Sequence, residues 1–177
     1  NLVANAPHMP VHLGSMGESI KTVMRKNASR MRAGDVYVLN DPYNGGTHLP
    51  DVTVISPVFD EAGRELLFYV GSRGHHADIG GTTPGSMPPD SHHIEQEGVL
   101  IDNFKLVDGL DGVLREDAAR AMLQGARYPA RNPDQNMADL RAQVAANQKG
   151  VEELRKMVAY FGLEVVRAYM GHVQDNA

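Results

Sequence analysis

Residues 51–71 of the chain read DVTVISPVFDEAGRELLFYVG, and this stretch decides the fold. The runs 52–59 and 65–71 are rich in β-branched and aromatic residues, which favour strands. Residues 60–63 between them are Asp-Glu-Ala-Gly, a polar segment that ends in glycine and is typical of a hairpin loop. The stretch therefore predicts two antiparallel strands joined by a short turn.

The spacing of apolar residues predicts helices before and after this hairpin in the sequence. Residues 15–32 carry apolar side chains at intervals of three and four, and residues 116–124 repeat the pattern over a shorter length. From Pro133 one apolar seam continues to His172, which predicts a long helix. Such a seam occurs on coiled-coil partner surfaces and on helices packed against their own or a neighbouring domain. The second interpretation is favoured, and His172 is interpreted as structural.

The predicted fold class is α+β, with antiparallel strands and glycine-rich loops in the first two thirds and a long C-terminal helix. Two further strands are predicted at 35–39 and 99–107. Glycines crowd the first two thirds of the chain, whereas no proline follows position 133. We therefore expect a loop-rich α+β part over 1–132 and a helical segment over 133–177.

Composition excludes several functional classes. Lys and Arg total 17 against 22 Asp and Glu, a net charge of −5, so the chain has no overall positive field to attract nucleic acid. No cysteine is present, which leaves His and carboxylates as the ligands of any metal. No apolar run reaches membrane-spanning length, so we expect no membrane partner and a cytoplasmic location. The motifs of serine hydrolases, zincins and P-loop ATPases do not occur.

The densest group of chemically active side chains flanks the predicted hairpin. His48 and Asp51 precede its first strand, and His75 and His76 follow its second strand. Because the two open ends of a hairpin meet, these four side chains are expected to be neighbours. Imidazole nitrogen and carboxylate oxygen together suit Zn, Mn or Fe. The alternative is that these histidines only hydrogen-bond backbone carbonyls in glycine-rich turns, but four converging side chains that can ligate a metal favour a metal site.

Two other segments supply candidates for proton transfer. His8 and His12 are four residues apart, but Pro10 between them argues against a helix. In a strand both would lie on one face and could line the site. Glu97 stands before a glycine, where it is either a general base or an exposed turn residue. His12 and Glu97 are therefore the candidate catalytic residues.

Four ordered motifs resemble the hydantoinase B / 5-oxoprolinase family, and the resemblance continues into the long helix over 131–147. The motifs are residues 6–16 (APHMPVHLGSM), 40–51 (NDPYNGGTHLPD), 72–81 (SRGHHADIGG) and 96–98 (QEG). Members of this family are several times longer. The resemblance therefore implies an internal segment of a larger protein, cut within an N-terminal strand whose open edge offers a route to a homo-oligomer.

The function implied by the resemblance is that of a hydrolase acting on cyclic amides. Such a protein is an ATP-dependent 5-oxoprolinase or N-methylhydantoinase, in which a hydantoinase A-type ATPase partner uses ATP to activate a small lactam or hydantoin. The B-type part then completes ring opening at a divalent-metal site. Two alternatives stay open, a subunit segment of a related acetone or acetophenone carboxylase and a non-catalytic metal-binding assembly module. We expect this segment alone to show little or no turnover.

The resemblance also assigns ligands to the metal site. Related carboxylases use a His, an Asp and a later His, and the matching positions here are His48, Asp51 and His75. Further residues are expected beside these ligands or in the surroundings of the site. They are His76, Asp78, His8 and Asp41.

Overall fold

The computed structural model describes residues 2–5 and 12–176. The strands are β1 (Val36–Leu39), β2 (Asp51–Phe59), β3 (Leu66–His75), β4 (Phe104–Asp108) and β5 (Val113–Leu114). The helices are α1 (Leu13–Asn27), α2 (Glu116–Gly125), α3 (Pro133–Phe161) and α4 (Leu163–Asp175). The strands form one sheet in the order β3-β2-β1-β4-β5, and every neighbouring pair is antiparallel. The α+β fold class is therefore confirmed.

The predicted hairpin is the longest pairing in the sheet. At its open end Asp51 lies opposite His75, and at the turn Phe59 lies opposite Leu66. The Asp60 carboxylate closes the turn by accepting a hydrogen bond of 3.0 Å from the backbone N–H of Glu65. Because β3 continues four residues beyond the predicted end at 71, the open end of the hairpin falls among the histidines.

Helices cover both faces of the sheet, which explains why β2 is buried along its whole length. Val52 and Val54 join Leu140 of α3 in the larger core cluster. Ile55 points to the opposite face and packs with Val23 of α1 in a second cluster. Successive strand residues point to opposite faces, so each residue of β2 faces one helix layer or the other. The α1 layer is the one that matters for the site below.

Helix α3 is anchored to the sheet by polar as well as apolar contacts. Asn147 donates a hydrogen bond of 3.0 Å to the backbone carbonyl of Val54, and Gln143 donates one of 2.9 Å to the carbonyl of Val52. Gly150 allows close approach, since a Cβ there would lie 2.9 Å from a methyl group of Val70. The first half of the predicted seam therefore packs against the chain's own sheet, as the favoured interpretation requires.

The long helix breaks before the predicted seam ends. Helix α3 stops at Phe161, and Gly162 adopts a φ of 83°, a left-handed value that glycine accepts without strain. Helix α4 then begins at Leu163 and carries the rest of the seam. Over residues 2–5 and 12–176, none of the helices combines the length and the apolar character needed to span a bilayer.

Two stretches predicted as strands have other structures. Residues 99–103 lie outside the sheet ladder, because Asn40 binds this segment with its backbone N–H and its side chain. Only from Phe104 does the chain join the sheet as β4. His12 is the N-cap of α1 rather than a strand residue. His8 lies outside the described residues, and residues 2–5 carry no regular structure.

Candidate metal centre

His48, Asp51 and His75 converge at the open end of the hairpin. Nδ1 of His48 lies 2.9 Å from one carboxylate oxygen of Asp51, and Nδ1 of His75 lies 3.0 Å from the other. One ligand atom from each residue can be chosen so that all three lie within 4.8 Å of one another. The two imidazole rings stand side by side with their centroids 5.2 Å apart. We call these three residues the trio.

Strand register and one tight loop bring the trio together. Asp51 and His75 are paired directly across β2 and β3. His48 reaches them from the loop that follows β1, whose base is fixed by the buried side chain of Asn40. The Asn40 amide donates to the carbonyls of Leu49 and Val99 at 2.8 and 2.9 Å. Sequence-distant ligands therefore become neighbours because the strand pair and the Asn40 clamp both fix their backbone.

The donor set of the trio fits a divalent transition metal. Two imidazole nitrogens and one carboxylate are ligands that Zn, Mn and Fe accept. Donor atoms about 2.1 Å from one ion lie about 3.0–3.4 Å from each other, depending on the coordination geometry. The Asp51 contacts of 2.9 Å with His48 and 3.0 Å with His75 lie near the short end of that range. The Asp51 side chain is only 3% exposed, whereas those of His48 and His75 are 37% and 55% exposed. The carboxylate of the trio is therefore buried in the protein, whereas its two imidazoles are accessible to solvent.

Two further side chains touch the Asp51 carboxylate. The hydroxyl of Thr47 donates a hydrogen bond of 3.1 Å to Oδ2, the oxygen that also faces His48. Nε2 of His12 lies 3.5 Å from the same oxygen. The predicted catalytic candidate His12 is therefore placed beside the trio, although by the start of a helix and not by a strand.

Arg73 lies on the same sheet face as the trio and connects this face of the sheet to α1. It is paired across the hairpin with Thr53, and its Nε donates a hydrogen bond of 2.8 Å to the Thr53 hydroxyl. Its other donors reach the hydroxyls of Ser15 and Ser19 on α1. Burial lowers the pKa of Arg73, and the negative charge of Asp51 partly opposes this shift. The guanidinium stays protonated near neutral pH, because its ordinary pKa is above about 12.

His76 lies on the opposite side of the sheet from the trio, since neighbouring residues of an extended chain point to opposite faces. Its Nδ1 accepts a hydrogen bond of 3.0 Å from the Asn136 amide, and its Nε2 lies 3.2 Å from Oε1 of Gln143. Burial lowers the pKa of His76, and the Gln143 contact opposes that effect only in part. In this structure His76 anchors α3 to the sheet.

Asp78 also serves a structural contact. Its carboxylate accepts hydrogen bonds from the backbone of Gly80, Gly85 and Arg131 and forms an ion pair of 2.8 Å with the Arg131 guanidinium. Burial raises the pKa of Asp78, but these donors outweigh it and hold the pKa below its ordinary value. Asp78 therefore closes the loop after β3 against the start of α3.

Among the residues that the structure describes, the predicted site residues Glu97 and Asp41 have their contacts away from the trio. The Glu97 carboxylate accepts a hydrogen bond of 2.9 Å from the Ser91 hydroxyl. In the described part of the chain no hydrogen bond or ion pair connects Glu97 with the trio. Asp41 accepts one of 2.9 Å from the backbone N–H of Tyr43 and so shapes the turn that leads to His48. A role for Glu97 and Asp41 in the chemistry of the site stays a prediction.

Sequence reasoning missed Arg73, Thr47 and Asn40. The position of Arg73 could have been predicted, because it precedes His75 by two residues in a strand and must lie on the same face of the sheet. Thr47 is adjacent to His48 and had no distinguishing pattern. The role of Asn40 depends on a loop contact with residues about 60 positions away, which no local pattern predicts.

The chain is similar to several known proteins. A 5-oxoprolinase of Dictyostelium discoideum is 47% identical over 176 residues, which are 99% of this chain and 13% of that protein. The crystal structure of an ATP-dependent caprolactamase from Pseudomonas jessenii matches 94% of this chain and 27% of its own chain, with a TM-score of 0.81 and 33% identity. A nucleotide-free structure of acetone carboxylase matches 90% of this chain and 20% of its own, with a TM-score of 0.71 and 28% identity.

The chain thus spans between 13% and 27% of the length of these three proteins. The sequence profile described as hydantoinase B/oxoprolinase matches residues 1–177. The four motifs resemble the same family that the profile and the relatives indicate. The chain therefore belongs to the hydantoinase B/oxoprolinase family.

Proposed function

We propose that this chain supplies the divalent-metal site of an ATP-dependent enzyme that opens a cyclic amide ring. The observation that carries the proposal is the convergence of His48, Asp51 and His75 at the open end of the β2–β3 hairpin. Membership of the hydantoinase B/oxoprolinase family and the likeness to a 5-oxoprolinase and a caprolactamase support the substrate class. The reaction proposed is completion of ring opening of a phosphate-activated lactam or hydantoin.

The roles of the residues follow from their contacts. His48 and His75 present Nδ1, and Asp51 presents both carboxylate oxygens, so these three would hold Zn, Mn or Fe. A divalent ion supplies Lewis acidity, which polarises a carbonyl or phosphoryl oxygen. Thr47 restrains one oxygen of Asp51 by its hydrogen bond of 3.1 Å. His12 holds or moves a proton at Nε2, the ring nitrogen that faces Asp51.

Activity is expected to need more than this segment. The imidazoles of His48 and His75 are 37% and 55% exposed, so the ligand side of the trio is accessible to a substrate or to another protein surface. The caprolactamase neighbour is described as ATP-dependent, and P-loop motifs do not occur in this chain. We propose that a hydantoinase A-type ATPase subunit or domain uses the ATP, and that the segment alone shows little or no turnover.

A carboxylase is the second candidate function. The TM-score of 0.71 with acetone carboxylase supports it, because one fold can carry either reaction. A carboxylase requires bicarbonate as a co-substrate, whereas ring opening of an amide does not. This difference separates the two candidates by substrate dependence alone.

The test uses the full-length protein that contains this segment, together with its ATPase partner. Ring opening of 5-oxoproline, a hydantoin and caprolactam, and consumption of acetone, are measured with ATP, with and without bicarbonate, for the unmodified protein and for Asp51→Asn. Asp117→Asn is the matched control, because Asp117 is exposed on α2. We expect Asp51→Asn to lose at least about a hundredfold in turnover and Asp117→Asn to lose nothing. Full activity in Asp51→Asn would refute the proposal, and turnover that requires bicarbonate would favour the carboxylase.

A further inference from the structure

Arg73 is held rigidly by neutral partners from two elements. Its Nε lies 2.8 Å from the Thr53 hydroxyl on β2, and its Nη2 lies 2.8 Å from the Ser19 hydroxyl on α1. Nη1 donates to Ser15 on the preceding turn of the helix. A guanidinium is planar, so three contacts on three different nitrogens fix its plane. None of these acceptors carries a charge.

The same guanidinium reaches the candidate catalytic residue His12. Nη1 of Arg73 lies 3.4 Å from Nδ1 of His12. Guanidinium nitrogens only donate hydrogen bonds, so a hydrogen bond at this contact requires Nδ1 of His12 to accept and to carry no proton. The proton of the neutral ring is then on Nε2, which lies 3.5 Å from Asp51 Oδ2. His12 is thereby held between a donor on one side and the trio's carboxylate on the other.

We propose that Arg73 is a positioning residue that holds the His12 imidazole with unprotonated Nδ1 turned to the guanidinium and Nε2–H turned to Asp51. The role of His12 as an oriented proton carrier beside the trio rests on the proposed function. The contact itself exists independently of any metal. Arg73 therefore acts on the chemistry through His12 and does not touch the reacting atoms.

The contact is tested by nitrogen NMR of the metal-free chain labelled with ¹⁵N-histidine, at a pH where the rings are neutral. Nδ1 of His12 is expected to give the signal of an unprotonated nitrogen that accepts a hydrogen bond, and Arg73→Met is expected to move that signal toward the value of an unprotonated nitrogen that accepts none. His76 is an internal control, because its Nδ1 accepts from Asn136 and not from Arg73. Arg155→Met, an exposed change on α3, is the matched control variant.

Two results of this experiment would overturn the inference. One is a protonated Nδ1 in the unmodified chain, which needs no variant and so decides the matter even if Arg73→Met does not fold. The other is a folded Arg73→Met chain in which the His12 signal is unchanged. Metal content is measured separately on the same proteins after loading with Zn, Mn or Fe and removal of unbound ion. A chain that binds no metal would remove the proposed function and leave the NMR result standing, so the two failures are distinguishable.

The functional consequence is tested with a double-mutant cycle in the full-length protein. Arg73→Met is expected to lower kcat about tenfold to a hundredfold, the range for residues that orient groups around a metal. In the background of His12→Ala the same change should have no further effect, because Arg73 acts through His12. Additive losses in the cycle would contradict the positioning role.

Discussion

Gly46→Ala is the substitution that tests most sharply how the fold builds the site. Gly46 lies in the turn before His48, and a Cβ there would lie 2.2 Å from the backbone oxygen of Asn40 and 2.7 Å from that of Asp41. Both atoms belong to backbone that is held by other contacts, so neither can move aside cheaply. The φ of Gly46 is not positive. The destabilisation expected from alanine therefore comes from a steric clash of the Cβ and not from backbone strain.

The cost can be worked out by two routes. If the turn opens, it gives up the hydrogen bonds from Gly46 and Asn44 to the Asp41 carbonyl, at 2.7 and 3.0 Å, worth about 1 kcal/mol each. If the turn stays closed, strain from overpacking costs about 1–3 kcal/mol. Either route predicts a loss of about 2 kcal/mol in the free energy of unfolding. Displacement of His48 should also weaken metal binding about tenfold to a hundredfold.

The assay is urea unfolding followed by circular dichroism, with a metal titration of the folded chain. Gly17→Ala is the matched control, because Gly17 lies inside α1 and a Cβ there would meet no atom of the described residues within 4 Å, apart from the backbone of its own helix. That change should stabilise the chain by about 0.5–1 kcal/mol and leave metal binding unaltered. The reasoning would be refuted by a Gly46→Ala chain that keeps both the unfolding free energy and the metal affinity of the unmodified protein.

Three further predictions concern stability and the trio. Burial raises the pKa of Asp35, but donors that include Gly109 and Lys105 outweigh it and hold the pKa below its ordinary value. The unfolded state therefore binds more protons in acid, and this stabilisation, present above about pH 4, is lost as the pH falls through the folded-state pKa. Asp35→Asn should cost about 3 kcal/mol at pH 7 and flatten the acid limb in urea unfolding at several pH values; an unchanged acid limb would contradict this. Asn147→Ala should cost about 1–3 kcal/mol, because it strips a buried carbonyl of its donor, and an equal loss in the exposed control Gln148→Ala would contradict it. Thr47→Val should weaken metal binding in calorimetric titration without unfolding the chain, and an unchanged affinity would show that the hydroxyl does not restrain Asp51.

Much of the fold was predictable, because it follows from local patterns. The runs around residues 60–63 contain their own strand and turn signals, and pairing them predicts that His48 and Asp51 meet His75. The antiparallel hairpin is confirmed, and the distance within the trio follows from its register. The packing face of α3 was predictable for the same reason, since apolar residues at intervals of three to four form the face that packs on a sheet.

The rest depends on contacts between distant parts of the chain. His76 was grouped with His75 because the two are adjacent, but strand alternation sends His76 to the α3 face, where Asn136 and Gln143 bind it. The interruption of the seam at Gly162 could not be located, because Gly150, Gly162 and Gly171 each weaken a helix by a similar amount, and only Gly162 interrupts it. The place of His12 depends on the packing of α1 against the sheet, which no local pattern fixes.

The central claim is that the trio binds one divalent ion, and metal content per chain measures it most directly. Inductively coupled plasma mass spectrometry is applied after loading with Zn, Mn or Fe and removal of unbound ion. The samples are the unmodified chain, His48→Ala, His75→Ala and the control His172→Ala, which changes an exposed residue of α4. We predict about one ion per chain in the unmodified protein and the control, and a near-complete loss in the other two. An unmodified chain without bound metal, or full metal content in His48→Ala and His75→Ala, would contradict the account.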